Sequence, residues 1–339
     1  MRQTLRVALD ATPLSLTSGG LARYTRELSA ALVEEFPEDS CSLLPAAGGR
    51  RLRLWWPVRL PLKLRQLRID VFHGTNFEVP YLPLTPSVLT LHDLSPWMEP
   101  AWHGNAGRVR LRTPFLVGLG IATLILTDSD AVRRQAIDRF GLSPARVAAV
   151  PLAAPRSFQP ASPAPTEKPY FLSVGTLEPR KNIRLLIDAW RPLRETHNLV
   201  LVGRRRQDFP ELPPEPGLRL AGEVPDADLP ALYSGAVAFV YPSLYEGFGL
   251  PVLEAMQCGA CVIASTDPAI AETAGDAALR LDPRDTRAWS EALLACSRGG
   301  EWLERRREGS LRRASLFSWA RTARLTREVY AEAVARFGR

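Results

Sequence analysis

Short apolar runs alternate along this chain with stretches whose apolar residues recur every three or four positions. "LRVALD" (5–10) reads as a strand and leads through a glycine loop into "LARYTRELSAALVEEF" (21–36), whose spacing predicts an amphipathic helix. "DVFHG" (70–74), "SVLTLHD" (87–93), "ATLILTDS" (122–129) and "VAAVPL" (147–152) then read as buried strands. "APRSFQPASPAPTEKP" (154–169) follows, and five prolines in 16 residues exclude a regular element, so this is the linker. The alternation restarts with "YFLSVG" (170–175), "NLVLVG" (198–203), "LRLAG" (218–222), "AVAFVYPS" (236–243), "ACVIAS" (260–265) and "ALRLD" (278–282) as strands. The chain closes on "FSWARTARLTREVYAEAVARF" (317–337), a long amphipathic helix expected to pack back on the first domain. Two consecutive βα series predict an α/β protein of two doubly wound, Rossmann-like parallel-sheet domains, 1–153 and 170–316, joined by 154–169. Ligands of such sheets bind outside the carboxyl ends of the strands, which places the expected site in a cleft between facing domains.

Composition narrows the class. At 339 residues the chain exceeds what one core usually serves, and 46% hydrophobic with 23% charged residues is ordinary for a globular protein. The longest apolar stretch, "FLVGLGIATLILT" (115–127), falls short of the roughly 20 residues a membrane span needs. The N-terminus shows no signal-peptide pattern, and four cysteines suit a reducing compartment, so a cytoplasmic location is expected. The net charge of +7 is uneven: residues 1–165 hold 19 Lys+Arg against 13 Asp+Glu, a net of +6. Only Lys63, Lys168 and Lys181 among the 43 basic residues are lysines, which draws attention to where each is kept.

Three stretches carry chemistry. "SVGTLEPRKNIRLLIDAW" (173–190) sets Arg180 and Lys181 between a strand and the next helix, where backbone N–H groups and adjacent cations make an anion site. "SLTSGGLARYTREL" (15–28) puts Gly19 and Gly20 before a helix, a pair that lets a phosphate or sugar approach the backbone or simply makes a turn. "YEGFGLPVLEAM" (245–256) brackets a glycine-bearing helix start with two carboxylates. Gly247 and Gly249 let backbone amides face a ligand, Pro251 suits a first helical turn, and Glu254 among apolar neighbours can bind hydroxyls such as those of a ribose. Carboxylates, amides and an Arg–Lys pair together describe a nucleotide-sugar site.

"GTLEPRKN" followed by "EGFGLPVLEAM", with Glu246 and Glu254 in E-x7-E spacing, resembles the retaining glycosyltransferases of family 4, which have the GT-B fold. "GGLARYTREL", "DVFHGTNF", "VLTLHDLSPW", "LYSGAVAFVYPS" and the closing "SWARTA" extend the likeness over nearly the whole chain. The resemblance implies that Arg180 and Lys181 bind the donor diphosphate and that Glu254 holds the ribose. It further implies that Glu246 meets the transferred sugar beside the backbone of Gly247, Phe248, Gly249 and Leu250. His92, in "TLHD", matches the histidine that contacts the sugar near the reacting carbon, and Gly19 and Gly20 match the glycine loop over phosphate and acceptor. Two positions depart from the pattern: Thr176 stands where many members have arginine, and Cys261 where proline is common. The implied reaction uses a nucleotide-diphosphate sugar as donor substrate, a saccharide or lipid-linked saccharide as acceptor, and no cofactor or catalytic metal. The general likeness leans toward bacterial mannosyltransferases of surface polysaccharide assembly, hence GDP-mannose, with a UDP-hexose as the alternative.

Other patterns have plainer readings. "CGAC" (258–261) leads into an apolar strand with no second pair at metal spacing, so buried thiols are expected. "DSD" (128–130) and "DAD" (226–228) each open a helix, which capping explains. "RRLRLWWPVRLPLKLRQLR" (50–68), with seven basic residues and no acid, is either a core-packed helix with a solvated basic face or a patch for an anionic membrane surface, with Trp55 and Trp56 at the interface. Nucleic acid is not expected as a partner, because no binding module accompanies the charge. A phosphorylase would need a pyridoxal lysine, and Lys181 suits phosphate better; a non-catalytic basic protein would leave the carboxylate–glycine–carboxylate array unexplained.

Overall fold

A computed structural model describes residues 4–16, 19–45, 54–99, 102–103, 106–163 and 166–338. The chain forms two compact units, one of residues 1–153 with 318–339 and the other of 154–317. In the first unit, β1 (Arg6–Asp10), α1 (Thr12–Leu16), α2 (Gly20–Glu35) and β2 (Ser40–Leu44) are followed by α3 (Leu60–Gln66), β3 (Val71–Gly74) and β4 (Ser87–Leu91). α4 (Ser95–Met98), α5 (Gly107–Gly118), β5 (Leu124–Thr127), α6 (Asp130–Phe140) and β6 (Val147–Ala149) complete the series. The six strands are parallel, in the order β2-β1-β3-β4-β5-β6. β3, β4 and β5 are buried at every position, as strands covered on both faces must be.

The second unit runs through β7 (Tyr170–Val174), α7 (Ile183–Trp190), β8 (Asn198–Val202), β9 (Leu218–Gly222), α8 (Leu229–Gly235) and β10 (Ala238–Tyr241). It continues with α9 (Leu250–Gln257), β11 (Val262–Ser265), α10 (Pro268–Ala274), β12 (Leu279–Leu281), α11 (Thr286–Ser297) and α12 (Glu301–Ala314). Its parallel sheet has the order β12-β11-β10-β7-β8-β9. The strand order therefore reverses between β7 and β10, and in the first unit between β1 and β3; the loops leaving those strands are where doubly wound sheets hold ligands.

The last helix, α13 (Trp319–Arg336), belongs to the first unit. Ser318 caps it by accepting from Arg321 N, and Thr322 donates to the Pro151 carbonyl at 2.7 Å. Buried Arg327 pairs with Asp39 at 2.5 Å, and Tyr330 hydroxyl meets His73 Nδ1 at 2.6 Å inside the sheet. Thr90 hydroxyl takes the other His73 nitrogen at 2.7 Å, and burial holds this imidazole's pKa down to about 3, so it is a neutral structural histidine.

The basic stretch resolves in favour of the packed reading for its tryptophans. Trp55 and Trp56 lie in a π-helical turn, Trp55–Arg59, and both rings are buried in the first unit's core beside Phe72 and Leu60. They cannot sit at a membrane interface. Arg59, Lys63, Arg65 and Arg68 are exposed, while Arg50, Arg51 and Arg53 lie outside the described residues.

Candidate active site

In the second unit the site is built at the point where the strand order reverses. β7 ends in Gly175, and a single 3-10 turn, Pro179–Lys181, carries Arg180 and Lys181 ahead of α7. β10 ends in Tyr241, and the loop 242–249 follows it, almost wholly buried. Leu244 N donates to the Arg180 carbonyl at 2.8 Å, so the two loops are laced together.

This brings Arg180, Lys181 and Glu246 into one cluster. Lys181 Nζ donates to Glu246 Oε1 at 2.5 Å and to the Tyr241 hydroxyl at 2.5 Å, above whose ring it sits at 4.8 Å. Arg180 Nη1 donates to Glu246 Oε2 at 3.0 Å and to the Tyr245 carbonyl at 2.6 Å. Ser243 Oγ adds a donor to Glu246 Oε1 at 2.5 Å. Arg180 Nη2 reaches Glu178 Oε1 at 2.8 Å, and Arg206 takes Glu178 Oε2 at 2.8 Å. Burial pushes the Glu246 carboxyl up, but Arg180 and Lys181 outweigh it and hold the group down at about 2. Lys181 is pushed below its ordinary range by burial, with Arg180 adding repulsion and Glu246 opposing. Arg180, Lys181 and Arg206 thus face Glu178, Glu246 and Asp208, three cations against three carboxylates, with Asp208 at the exposed edge.

The glycines set the turn into α9. Gly249 has φ +88, a left-handed conformation costly for any other residue, and a Cβ there would press on Ile270 at 3.3 Å. Phe248 is buried and its carbonyl accepts from Thr273 at 2.6 Å, fixing the loop on α10. Gly247 lies in the same buried loop, and Leu250 opens the helix. Asp267 accepts the Glu246 amide at 3.3 Å while capping α10 through Ala269 N and Ile270 N. Its burial, with Glu246 nearby, lifts its pKa to about 6. Glu254 is 1% exposed in α9 and accepts from Tyr233 hydroxyl at 3.0 Å, so it is no surface charge.

In the first unit, the loops leaving β1, β3, β4 and β5 hold the remaining residues. Gly19 occupies the N-cap position of α2 and Gly20 its first residue. His92 follows β4 and its two nitrogens meet two acceptors, Asp128 Oδ2 at 2.7 Å and the Thr75 carbonyl at 2.8 Å. The Thr75 carbonyl can only accept, so Nε2 carries a proton, and Nδ1 faces the Asp128 carboxyl. Burial opposes the charge, but Asp128 and the Thr75 carbonyl raise the His92 pKa above its ordinary value. Tyr24 stands edge-on to this imidazole at 4.8 Å and Phe77 at 6.4 Å.

Sequence reasoning missed Asp128. In "DSD" it is Ser129 that caps α6, accepting from Val132 N at 3.2 Å, whereas Asp128 turns to His92. The register shows why: Leu91 pairs with Thr127, so the next residues of the two parallel strands, His92 and Asp128, emerge side by side. In "DAD", Asp228 stands at the N-cap position of α8 without a side-chain capping bond. Glu178, Tyr241 and Ser243 were also missed, although each lies within or beside a quoted motif. Cys258 and Cys261 are buried free thiols.

Known proteins resemble this chain in sequence and in fold. Residues 18–155 match the model of Glycosyltransferase Family 4, and residues 156–310 that of Glycosyl transferases group 1. The chain is 38% identical over 300 residues to O-antigen chain mannosyltransferase B of Escherichia coli, covering 82% of this chain and 78% of that one. Among solved structures, a sucrose-phosphate synthase from Thermosynechococcus elongatus superposes with a TM-score of 0.75 at 19% identity, covering 98% of this chain and 99% of that one. Anabaena HepE, crystallised with UDP and glucose, gives 0.75 at 16% identity over 96% of this chain and 99% of its own. At these identities the structures speak for the fold alone, and the fold is GT-B. With two family models end to end and a relative aligned over most of both chains, this protein belongs to the family 4 glycosyltransferases.

Proposed function

We propose that this glycosyltransferase moves a hexose with retention of configuration from a nucleotide-diphosphate sugar to a saccharide or lipid-linked saccharide, without a catalytic metal. Mannose from GDP-mannose is the best-supported donor, because the relative sharing 38% identity is named an O-antigen chain mannosyltransferase. A UDP-hexose is the alternative donor. The observation that carries the reading is the buried cluster of Arg180, Lys181 and Glu246 at the strand-order reversal. Its adjacent cations suit a diphosphate once Glu246 turns from them, and protein cations supply the neutralisation that a metal would otherwise give.

The chemistry would run as follows. The bond from the sugar's anomeric carbon to the phosphate oxygen breaks, and Arg180 and Lys181 stabilise the departing diphosphate. The acceptor hydroxyl attacks that carbon from the same face, its oxygen forms the new bond, and its proton passes to a phosphate oxygen. No protein nucleophile is needed. Glu254 serves the ribose, and Glu246 first holds the two cations in place and then turns to the sugar. His92 would contact the sugar near the reacting carbon by exchanging the Thr75 carbonyl on Nε2 for a sugar hydroxyl, while Asp128 keeps Nδ1. Gly19, Gly20, and the backbone of Gly247, Phe248, Gly249 and Leu250 serve the phosphates and sugar.

We further propose a peripheral contact with an anionic membrane. Leu54, Val58 and Leu62 are exposed at spacings of four, alongside exposed Arg59 and Lys63, so this face rather than the tryptophans would meet the surface. The test of the central reading is nucleotide release from a panel of donors, run with and without EDTA. GDP release from GDP-mannose that survives EDTA supports it, and release restored only by manganese or magnesium contradicts the metal-free part.

A further inference from the structure

In the proposed reaction Lys181 loses a partner just when its charge is needed. A lysine ammonium has three N–H groups. Glu246 Oε1 and the Tyr241 hydroxyl take two of them, each at 2.5 Å. The Lys181 side chain is 11% exposed, and that opening is where the third can meet a ligand. When Glu246 turns to the sugar, the Tyr241 hydroxyl is the acceptor that stays.

Tyr241 is held so that it cannot follow. It ends β10, where it pairs with Ala264 of β11, and its ring stacks on Phe239, two residues back on the same face of the strand, with centroids 5.6 Å apart. The residue is buried, so sheet and stack leave its hydroxyl one place to be. Burial first, then the Glu246 charge, push its pKa well above the ordinary value, so it stays a neutral hydroxyl that accepts from Lys181. Arg180 and Glu178 are the other charged groups about this ammonium. Neither replaces the hydroxyl: a guanidinium only donates, and Glu178 is engaged by Arg180 Nη2 and Arg206 Nη1, both at 2.8 Å. An ammonium without a fixed acceptor swings on its four-carbon stem, and a misplaced cation stabilises a leaving group poorly.

We infer that the Tyr241 hydroxyl is a positioning group for transfer, keeping the Lys181 ammonium aimed at the departing diphosphate while Glu246 engages the sugar. The inference rests on the transferase reading, and the experiment separates the two. Tyr241→Phe keeps the ring and its stack and removes only the hydroxyl. GDP brings no sugar to draw Glu246 away, so it should bind this variant as it binds the wild type, while kcat/KM for the nucleotide-sugar falls about tenfold. In Lys181→Ala the same change should have no further effect, because the hydroxyl acts through that lysine. The chain has only Lys63, Lys168 and Lys181, so NMR of protein labelled with 13Cε-lysine follows each ammonium. Lys181 alone should titrate at lower pH in Tyr241→Phe, since its charged form has lost an acceptor. Tyr241→Met, a second side chain without the hydroxyl, repeats the series, with circular dichroism as the folding check. Full transfer by the folded variants, an equal tenfold loss on top of Lys181→Ala, or an unmoved Lys181 titration overturns the inference. A wild type that releases no nucleotide from any donor removes the transferase reading instead, and the Lys181 titration then still reports whether the hydroxyl holds the lysine.

Discussion

Replacing Glu246 by glutamine removes one charge from a cluster in which Lys181 and Ser243 are buried and Arg180 nearly so. The carboxyl stands at about 2 against an ordinary 4.5. At about 1.4 kcal/mol per pH unit, the ionised group then contributes about 3 kcal/mol to folding at neutral pH. A depressed carboxylate gives its stability above the unfolded pKa and loses it as pH falls through the folded one. The gap between wild type and Glu246→Gln should therefore be about 3 kcal/mol at pH 7 and shrink to about 1 kcal/mol at pH 3. Urea unfolding at both pH values, followed by tryptophan fluorescence, reads this directly, since Trp190 and Trp289 are buried in the same unit. The same change frees Arg180 and Lys181 from their competing carboxylate. GDP should bind the variant at least as tightly as the wild type, while sugar transfer falls by at least about tenfold. An unchanged urea midpoint at pH 7 together with weaker GDP binding would refute the assignment of Glu246 as the holder of these cations.

Four further outcomes are expected. Arg180→Ala and Lys181→Ala should each lower turnover by at least about tenfold, because one electrostatic donor at a leaving group is worth several kcal/mol; near-normal rates in both remove the phosphate site. Glu254→Gln should weaken GDP binding measured by calorimetry, since the ribose belongs to substrate and product alike; unaltered affinity contradicts the ribose role. Asp128→Asn should remove the largest support for the His92 charge and move the alkaline limb of the pH–rate profile to lower pH. A raised histidine keeps its charge below its folded pKa and loses it above, so an unmoved limb argues that this charge is not used. Binding to anionic vesicles should fall with salt and with an Arg59→Glu/Lys63→Glu double change, each base contributing roughly 1 kcal/mol; sedimentation without binding at low salt removes the membrane face.

Much of the fold was legible because buried parallel strands are nearly continuous apolar runs, and "LILT", "VIAS" and "AFVY" announce themselves. β2 was not, since "SCSLL" is an edge strand of mixed polarity with little burial, and its place beside β1 comes from register rather than pattern. The Arg180–Lys181–Glu246 cluster could be anticipated from motifs 65 residues apart, because both sit where strands end and helices begin. What the pattern hid was that Glu246 ties up the very cations offered to the phosphate. Asp128 was hidden by a competing local explanation: a D-S-D before a helix satisfies capping, and only the pairing of β4 with β5 shows its first carboxylate turned to His92. Trp55 and Trp56 stayed open for the reverse reason, since arginines beside tryptophans suit a membrane surface as well as a helix whose aromatic side is core, and the core took them.

The most direct test of the account follows the anomeric carbon itself. GDP-α-D-mannose labelled with 13C at that carbon is incubated with the purified chain and an α-mannoside acceptor, and the one-bond C–H coupling of the product is read by NMR alongside GDP release. The account expects equimolar GDP and a new α-linked mannoside, with both lost in Lys181→Ala. A β-linked product contradicts retention. Release of no nucleotide from GDP-mannose or from any UDP-hexose, with the folded chain and acceptor present, contradicts the proposed reaction itself.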